Sequence, residues 1–196
     1  MHGLINRSIQ CFLRDTYSDL VWLDVVNHAE LGFDGFEAML TYDDDLTVAV
    51  LDAAAHRLSR ERDSILEDLG TYLVSHPNLE SLRRLLRFGG VGFVDFLHSL
   101  DELQGRGRLA VPDLDLPRLE LNCHAPGHYS LTCQTPHRGF GHVMVGILRV
   151  MADDYGALVL LEHHRTGSDV ETISIDLLDQ QHAEGRHFDL SARRMQ

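Results

Sequence analysis

The chain is 196 residues long with 44 % apolar and 24 % charged residues, the balance of one soluble globular core, too short for two independent domains and too apolar for a disordered chain. Thirty acidic residues oppose 17 basic ones, all of them Arg, for a formal net charge of −13, which excludes nucleic-acid binding through phosphate neutralisation. Three Cys without regular spacing form no disulfide framework and point to a reducing compartment.

The opening MHGLINRSIQCFLRD lacks the basic leader and unbroken apolar run of a secretory signal. No stretch approaches the ~18 apolar residues of a membrane span, so a cytoplasmic protein without membrane contact is expected. Leu4, Ile5, Ile9, Phe12 and Leu13 instead fall at helical spacing. Helical patterning continues through Leu20 to Asn27, a segment around Phe36 to Leu40, and Leu46 to Leu58. Ser59 is the expected N-cap of a helix carrying Ile65, Leu66, Leu69, Tyr72 and Leu73, which must stop before His76-Pro77 because a residue preceding proline is pushed out of the α region. A short helix from Leu79 to Leu86 closes at Gly89-Gly90, and another from Phe93 to Leu103 is expected to break at Gly105 and Gly107.

The period changes at Pro112. Arg118 to His124 alternates apolar and polar residues, Ala125-Pro126-Gly127 supplies a turn, and Tyr129, Leu131, Cys133 and Thr135 continue the alternation in a returning strand. Cys123 and Cys133 then share a face. Phe140, Val143, Met144, Ile147, Leu148 and Met151 mark an amphipathic helix ending near Gly156. Two strands follow, Leu158 to His163 and Val170 to Leu177, joined by Thr166-Gly167-Ser168. The expected fold class is α+β: a helical half (1–111) packed on an antiparallel sheet with a long helix (112–178), one domain over 1–178 with a ligand pocket between the halves, and a polar tail over 179–196.

Three stretches carry a resemblance. MHGLINRSI at the N-terminus, Phe96 to Leu103 followed by Pro112 and Pro117, and LTCQTPHRGFGHVMVGILRVMADDY from Leu131 to Tyr155 resemble, in this order, segments of the haem-nitric oxide/oxygen binding (H-NOX) family, the sensor module also found in soluble guanylate cyclases. The resemblance implies a haem between the two halves, lined by Leu4, Ile5, Ile9, Leu97, Leu100 and Pro117, its iron bound by a His closing an LDxLH motif and its propionates held by a Tyr-x-Ser-x-Arg motif. It also implies sensing of a diatomic gas, nitric oxide first, and control of a separate signalling enzyme, a histidine kinase or a diguanylate cyclase/phosphodiesterase.

Both motifs depart from the family pattern. The first reads Leu100-Asp101-Glu102-Leu103-Gln104 with its spacing to Pro112 kept, so Gln104 stands where the family's proximal His is expected, and an amide is a poor iron donor. The second reads Cys133-x-Thr135-x-His137, which keeps a hydroxyl but exchanges a permanently charged, bidentate guanidinium for an imidazole. Three readings follow. The iron ligand has moved, with His142 at the start of the long helix as first candidate and His98 as second; His98 lies six residues from Gln104, about 240° around the helix, and so faces away from the pocket. Alternatively the module is haem-free and uses its pocket for another hydrophobic ligand or as a protein-interaction scaffold. The third reading is a zinc constellation from Cys123, His124, His128, Cys133 and His137, although its spacing matches no established pattern. Asp43-Asp44-Asp45 reads as a solvated helix start, His163-His164 as surface. Without GxSxG, P-loop, HExxH or dinucleotide fingerprints, no enzymatic activity is expected.

Overall fold

The computed structural model describes residues 1–87, 90–165, 167 and 169–185. The chain opens with α1 (Gly3–Thr16), whose N-terminus is capped by the His2 imidazole accepting from the Leu4 N–H at 3.2 Å, and whose buried face carries Ile9, Phe12 and Leu13. It continues into α2 (Asp19–His28), α3 (Asp44–Leu58) and α4 (Arg62–Ser75). The segment Phe36–Leu40 is not helical: it is a turn-rich loop held by Gln10 Oε1 accepting the Phe36 N–H at 2.9 Å and by the Phe36 ring wedged among Trp22, Phe33 and Tyr42. Its apolar residues serve an aromatic cluster, not a helix face. Ser59 likewise ends α3 in a left-handed conformation (φ 52°) instead of opening α4, whose N-cap is Glu61. The stop at His76-Pro77 is as expected, with His76 extended.

A 3₁₀ turn (Pro77–Leu79) leads into α5 (Glu80–Arg87); the closing Gly89 lies outside the described residues. α6 (Phe93–Ser99) passes through a 3₁₀ turn (Leu100–Glu102) into α7 (Leu103–Ala110), so Gly105 and Gly107 sit inside a helix and do not break it. Gly107 packs against Leu116: a Cβ on it would stand 2.6 Å from Leu116 Cδ1, so the leucine side chain would have to move. The second half contains β1 (Arg118–Ala125), β2 (His128–Gln134), α8 (Phe140–Tyr155), β3 (Leu158–Arg165) and β4 (Val170–Asp179), in an antiparallel sheet of order β1-β2-β4-β3. Thr166 and Ser168 of the β3–β4 turn lie outside the described residues. Leu131, Cys133, Ile173 and Ile175 form the fully buried face. Cys123 shares the parity of Cys133 but pairs with Tyr129 at the hairpin end, where it is exposed, while Cys133 pairs with Leu119. Of the tail, residues 180–185 turn back on the helix, Ala183 N–H donating to the Gly156 carbonyl at 3.1 Å, and 186–196 lie outside the described residues.

α4 and α8 join the two halves, and glycine makes their crossing close. A Cβ on Gly70 would meet the Val143 carbonyl oxygen at 2.0 Å, and one on Gly146 would meet the Glu67 oxygen at 2.0 Å. A second tie is the buried Asp154 of α8, whose two carboxylate oxygens accept from Nε (2.6 Å) and Nη2 of Arg83 of α5, while Arg87 donates to its backbone carbonyl at 2.8 Å. Among the described residues no helix is long and apolar enough to cross a membrane.

Candidate functional site

A cavity of about 930 Å³ lies between the halves. Its walls come from one face of each surrounding helix: Leu4, Ile5 and Ile9 of α1, Leu66, Leu69 and Leu73 of α4, and Leu103 and Gly107 of α7. The spacings i, i+3, i+7 on α4 and i, i+4 on α7 are those of an amphipathic helix, and here the apolar stripe faces a void instead of another element. The 136–140 loop and Val143 of α8 close the opposite wall.

Polar groups gather at the mouth: Asp44, Arg62, His137 and Arg138. Asp44 is neutralised locally, its Oδ1 2.5 Å from the Met1 ammonium and its Oδ2 3.5 Å from His137 Nδ1. The hydrogen bond from that ammonium, ahead of the charge of His137, holds the Asp44 carboxyl below its usual range. Arg62 reaches Asp52 at 3.3 Å, and Arg138 is exposed with no side-chain partner among the described residues.

The loop carrying His137 and Arg138 is positioned from beneath by Glu171 of β4. Its buried carboxylate accepts the Gly139 N–H at 2.8 Å and the Gly141 N–H at 2.6 Å, so the start of α8 is fixed to the sheet. Gly139 adopts φ 100°, which favours glycine at this bend.

The expected site residues divide sharply. Ile5 and His137 are on the cavity wall, with Leu4 and Ile9. Leu97, Leu100 and Pro117 are buried and are not on the wall. Cys133 is fully buried in the sheet, its thiol pushed up to about 12 by burial and then by the nearby Glu171 charge. Thr135 is buried too, its hydroxyl accepting the His137 N–H at 3.2 Å, so it shapes the loop from outside the wall. His98 is exposed and meets the Tyr129 ring edge-on.

His142 is not on the cavity wall. Its ring faces α4, Nε2 3.3 Å from Asp63 and Nδ1 3.4 Å from Glu67, and stacks on His163 with centroids 3.9 Å apart. His163 of β3 is half-buried, 3.7 Å from Glu171; burial, then the neighbouring His142, lowers its pKa. The zinc constellation does not assemble: Cys133 is buried, His124 pairs with Ser130 and His128 with Asp176, both at 2.8 Å. Among the described residues no group of three or more His, Cys, Asp or Glu is placed to hold a metal ion.

Gln104 is the decisive position. Its Nε2 donates to the Leu116 carbonyl at 2.8 Å, and the residue is not part of the cavity wall, although Leu103 and Gly107 on either side are. Among the described residues the only imidazole on the wall is that of His137, already beside Asp44.

A family model for Haem-NO-binding matches residues 2–163. The chain belongs to the Haem-NO-binding family. Relatives include the soluble guanylate cyclase gcy-31 of Caenorhabditis elegans, 23 % identical over 154 residues covering 79 % of this chain and 22 % of the worm protein. Soluble guanylate cyclase 89Da of Drosophila melanogaster is 20 % identical over 158 residues, covering 81 % of this chain and 24 % of the fly protein. The chain thus spans less than a quarter of the length of either cyclase. The fold matches a mutant of the Fe(II) unliganded H-NOX protein from K. algicida with a TM-score of 0.79 at 15 % identity, covering 91 % of this chain and 97 % of that one. It also matches the S. oneidensis H-NOX protein in the Fe(II)NO ligation state with a TM-score of 0.74 at 16 % identity, covering 91 % of this chain and 100 % of that one. The α+β architecture expected from the sequence is therefore the H-NOX fold. The cavity occupies the place between the halves where haem was expected and exceeds many small-molecule sites in volume. Residue 104 does not fit the part of a haem-ligating histidine, because its amide is a poor donor and is turned onto Leu116.

The wall residues of α4 and α7 and the two arginines escaped sequence reasoning. Leucines at helical spacing look the same whether they face core or void, and an Arg at a helix start carries no motif.

Proposed function

We propose that this chain is a non-catalytic sensory domain that reports occupancy of its cavity to a separate signalling enzyme, a histidine kinase or a diguanylate cyclase/phosphodiesterase. The observation that carries the reading is that both halves build one apolar cavity, with α1, α4 and α7 on one side and the 136–143 segment on the other. A ligand in contact with both walls favours one relative placement of the halves, and differential affinity for two placements is what converts binding into a signal. With Gln104 tied to Leu116, the signal arises from occupancy, not from rupture of a bond between iron and this helix.

The second reading is a haem-based nitric oxide sensor. Family membership and the cavity's volume favour it, and its iron would need an axial ligand other than residue 104. His137 is the imidazole nearest to that role, and His142 and His98 would have to leave their present partners.

Titration with a neutral apolar fluorophore such as Nile red tests the occupancy reading. The expected result is one site per chain, weakened about 10-fold by Leu69→Phe, which fills the wall, with the unfolding midpoint retained. Absence of binding, or equal binding by both proteins, would overturn it. A Soret band that shifts with nitric oxide and disappears on His137→Ala would move the conclusion to the second reading.

A further inference from the structure

We propose that the cavity binds an apolar carboxylate without iron, its body along the leucine walls and its head group between Arg62 and Arg138. The proposal rests on the occupancy reading and names the ligand class. The wall is mainly aliphatic, and its charged or ionisable side chains are the exposed Asp44 and Arg138 and the partly exposed Arg62 and His137. A ligand matching that distribution has a long or flat apolar body and one polar end.

The sign of the polar end follows from the pairing of the mouth residues. Among the described residues the only carboxylate on the cavity wall, Asp44, is taken up by the Met1 ammonium and by His137. The cations are less engaged. Arg138 has no side-chain partner among the described residues, and Arg62 has a single 3.3 Å contact with the exposed Asp52. Both line the cavity, so an entering anion finds guanidinium donors without first displacing a buried ion pair. Guanidinium offers carboxylate a planar two-point fit that neither water nor an ester reproduces. These residues are also anchored: Gly139, next to Arg138, is held by Glu171, and Arg62 opens α4, which the Gly70–Gly146 crossing fixes against α8.

Iron has no part in this assignment. The position from which the helix would hold it is occupied by an amide that donates to the Leu116 carbonyl, so the free energy of binding must come from apolar burial and the head group.

Two sources share this chemistry, a fatty acid and a metal-free tetrapyrrole carboxylate, and the experiment separates them. Purified full-length protein is titrated with cis-parinaric acid, with its methyl ester, with metal-free protoporphyrin IX and with hemin, following fluorescence or absorbance. The expected result is one site for at least one carboxylate, bound about 10-fold more tightly than the ester of the fatty acid if that is the ligand. Arg138→Ala and Arg62→Ala each weaken that carboxylate about 10-fold and leave Nile red binding within about two-fold, and Arg138→Lys recovers part of the loss. Binding of parinarate with displacement by palmitate assigns the fatty acid; binding of protoporphyrin IX with hemin within about three-fold assigns the tetrapyrrole. Equal affinity for acid and ester with no response to the arginine variants, in a protein that still binds Nile red, overturns the carboxylate while leaving the cavity reading intact. Failure of Nile red itself overturns the cavity reading and this proposal together. Hemin bound ~100-fold more tightly than metal-free protoporphyrin overturns it in favour of iron coordination.

Discussion

Replacing Gly70 by Ala tests the α4–α8 crossing on which the cavity depends. The added Cβ would stand 2.0 Å from the Val143 carbonyl oxygen, 2.9 Å from its carbon and 3.1 Å from Gly146 Cα. A carbon resting against a carbonyl oxygen needs about 3.3 Å, so the helices must separate by roughly 1 Å along that contact. The obstructing atoms are backbone, so no side chain can rotate out of the way. In an isolated helix the substitution gains about 1 kcal/mol of propensity. Overpacking of a close contact costs about 1–3 kcal/mol and more where the obstruction is rigid, so the net effect expected is about 2 kcal/mol destabilising. For a chain of this length that is a fall of roughly 4–8 °C in Tm. Gly146→Ala, facing the Glu67 oxygen at 2.0 Å and Thr71 N at 2.8 Å, should behave alike. The double variant should lose less than the sum, because one separation relieves both contacts. Thermal unfolding followed by far-ultraviolet circular dichroism measures all three. An unchanged or raised Tm for Gly70→Ala would mean that propensity wins, and the close crossing argued above would be wrong.

Two further predictions concern the support beneath the cavity mouth. Glu171→Gln leaves one acceptor oxygen where the Gly139 and Gly141 N–H groups both donate, and should cost about 2 kcal/mol in urea unfolding at 25 °C; a loss below about 0.5 kcal/mol would show that the carboxylate is not what fixes the start of α8. His163 has a lowered folded-state pKa from burial and from His142, so between that value and its unfolded value near 6.5 the unfolded chain binds more protons. Its contribution is therefore fully present above about pH 6.5 and is lost as pH falls through the folded value. The urea midpoint should fall from pH 7 to pH 5 more steeply for the native protein than for His163→Gln, and parallel profiles would refute the assignment.

Much of the fold was legible in the sequence because its signals are local. The helical period of Leu4 to Leu13, the proline after His76 and the alternation across Ala125-Pro126-Gly127 each act over a few residues, and the structure has α1, the end of α4 and the β1–β2 hairpin where those signals place them. Where the sequence misleads, a tertiary contact or a special backbone conformation outweighs a local rule. Phe36 to Leu40 has helical spacing, but Gln10 binds the Phe36 N–H and three aromatic rings enclose its side chain, so the loop is set by partners distant in sequence. Gly107 reads as a helix breaker until Leu116 is seen packed against it. Ser59 has a capping side chain, yet the left-handed backbone at the end of α3 determines its place.

The site was legible in a different way. The departure at Gln104 could be read because the spacing to Pro112 was kept, but its meaning needed the geometry. His142 was a reasonable substitute ligand on a helix wheel alone, since nothing in the sequence shows that Asp63 and Glu67 of α4 lie beneath it.

Cavity and ligand chemistry are separable in this protein. The void is shaped by the crossing at Gly70 and Gly146, by the close seat of Gly107 on Leu116, and by leucines on α1 and α4, none of which involves the side chain of residue 104. Gln104 can therefore stand in the expected ligand position without collapsing the space, and its hydrogen bond to Leu116 satisfies the amide in the absence of any ligand. What the substitution removes is a strong bond from α7 to a metal, and with it a reason for the bound molecule to contain one. An apolar cavity open to water gains stability from any molecule that fills it, about 2.7 kcal/mol at a ligand concentration 100 times Kd. For a molecule that binds one placement of the halves and not the other, occupancy at that concentration shifts the equilibrium between the two placements about 100-fold.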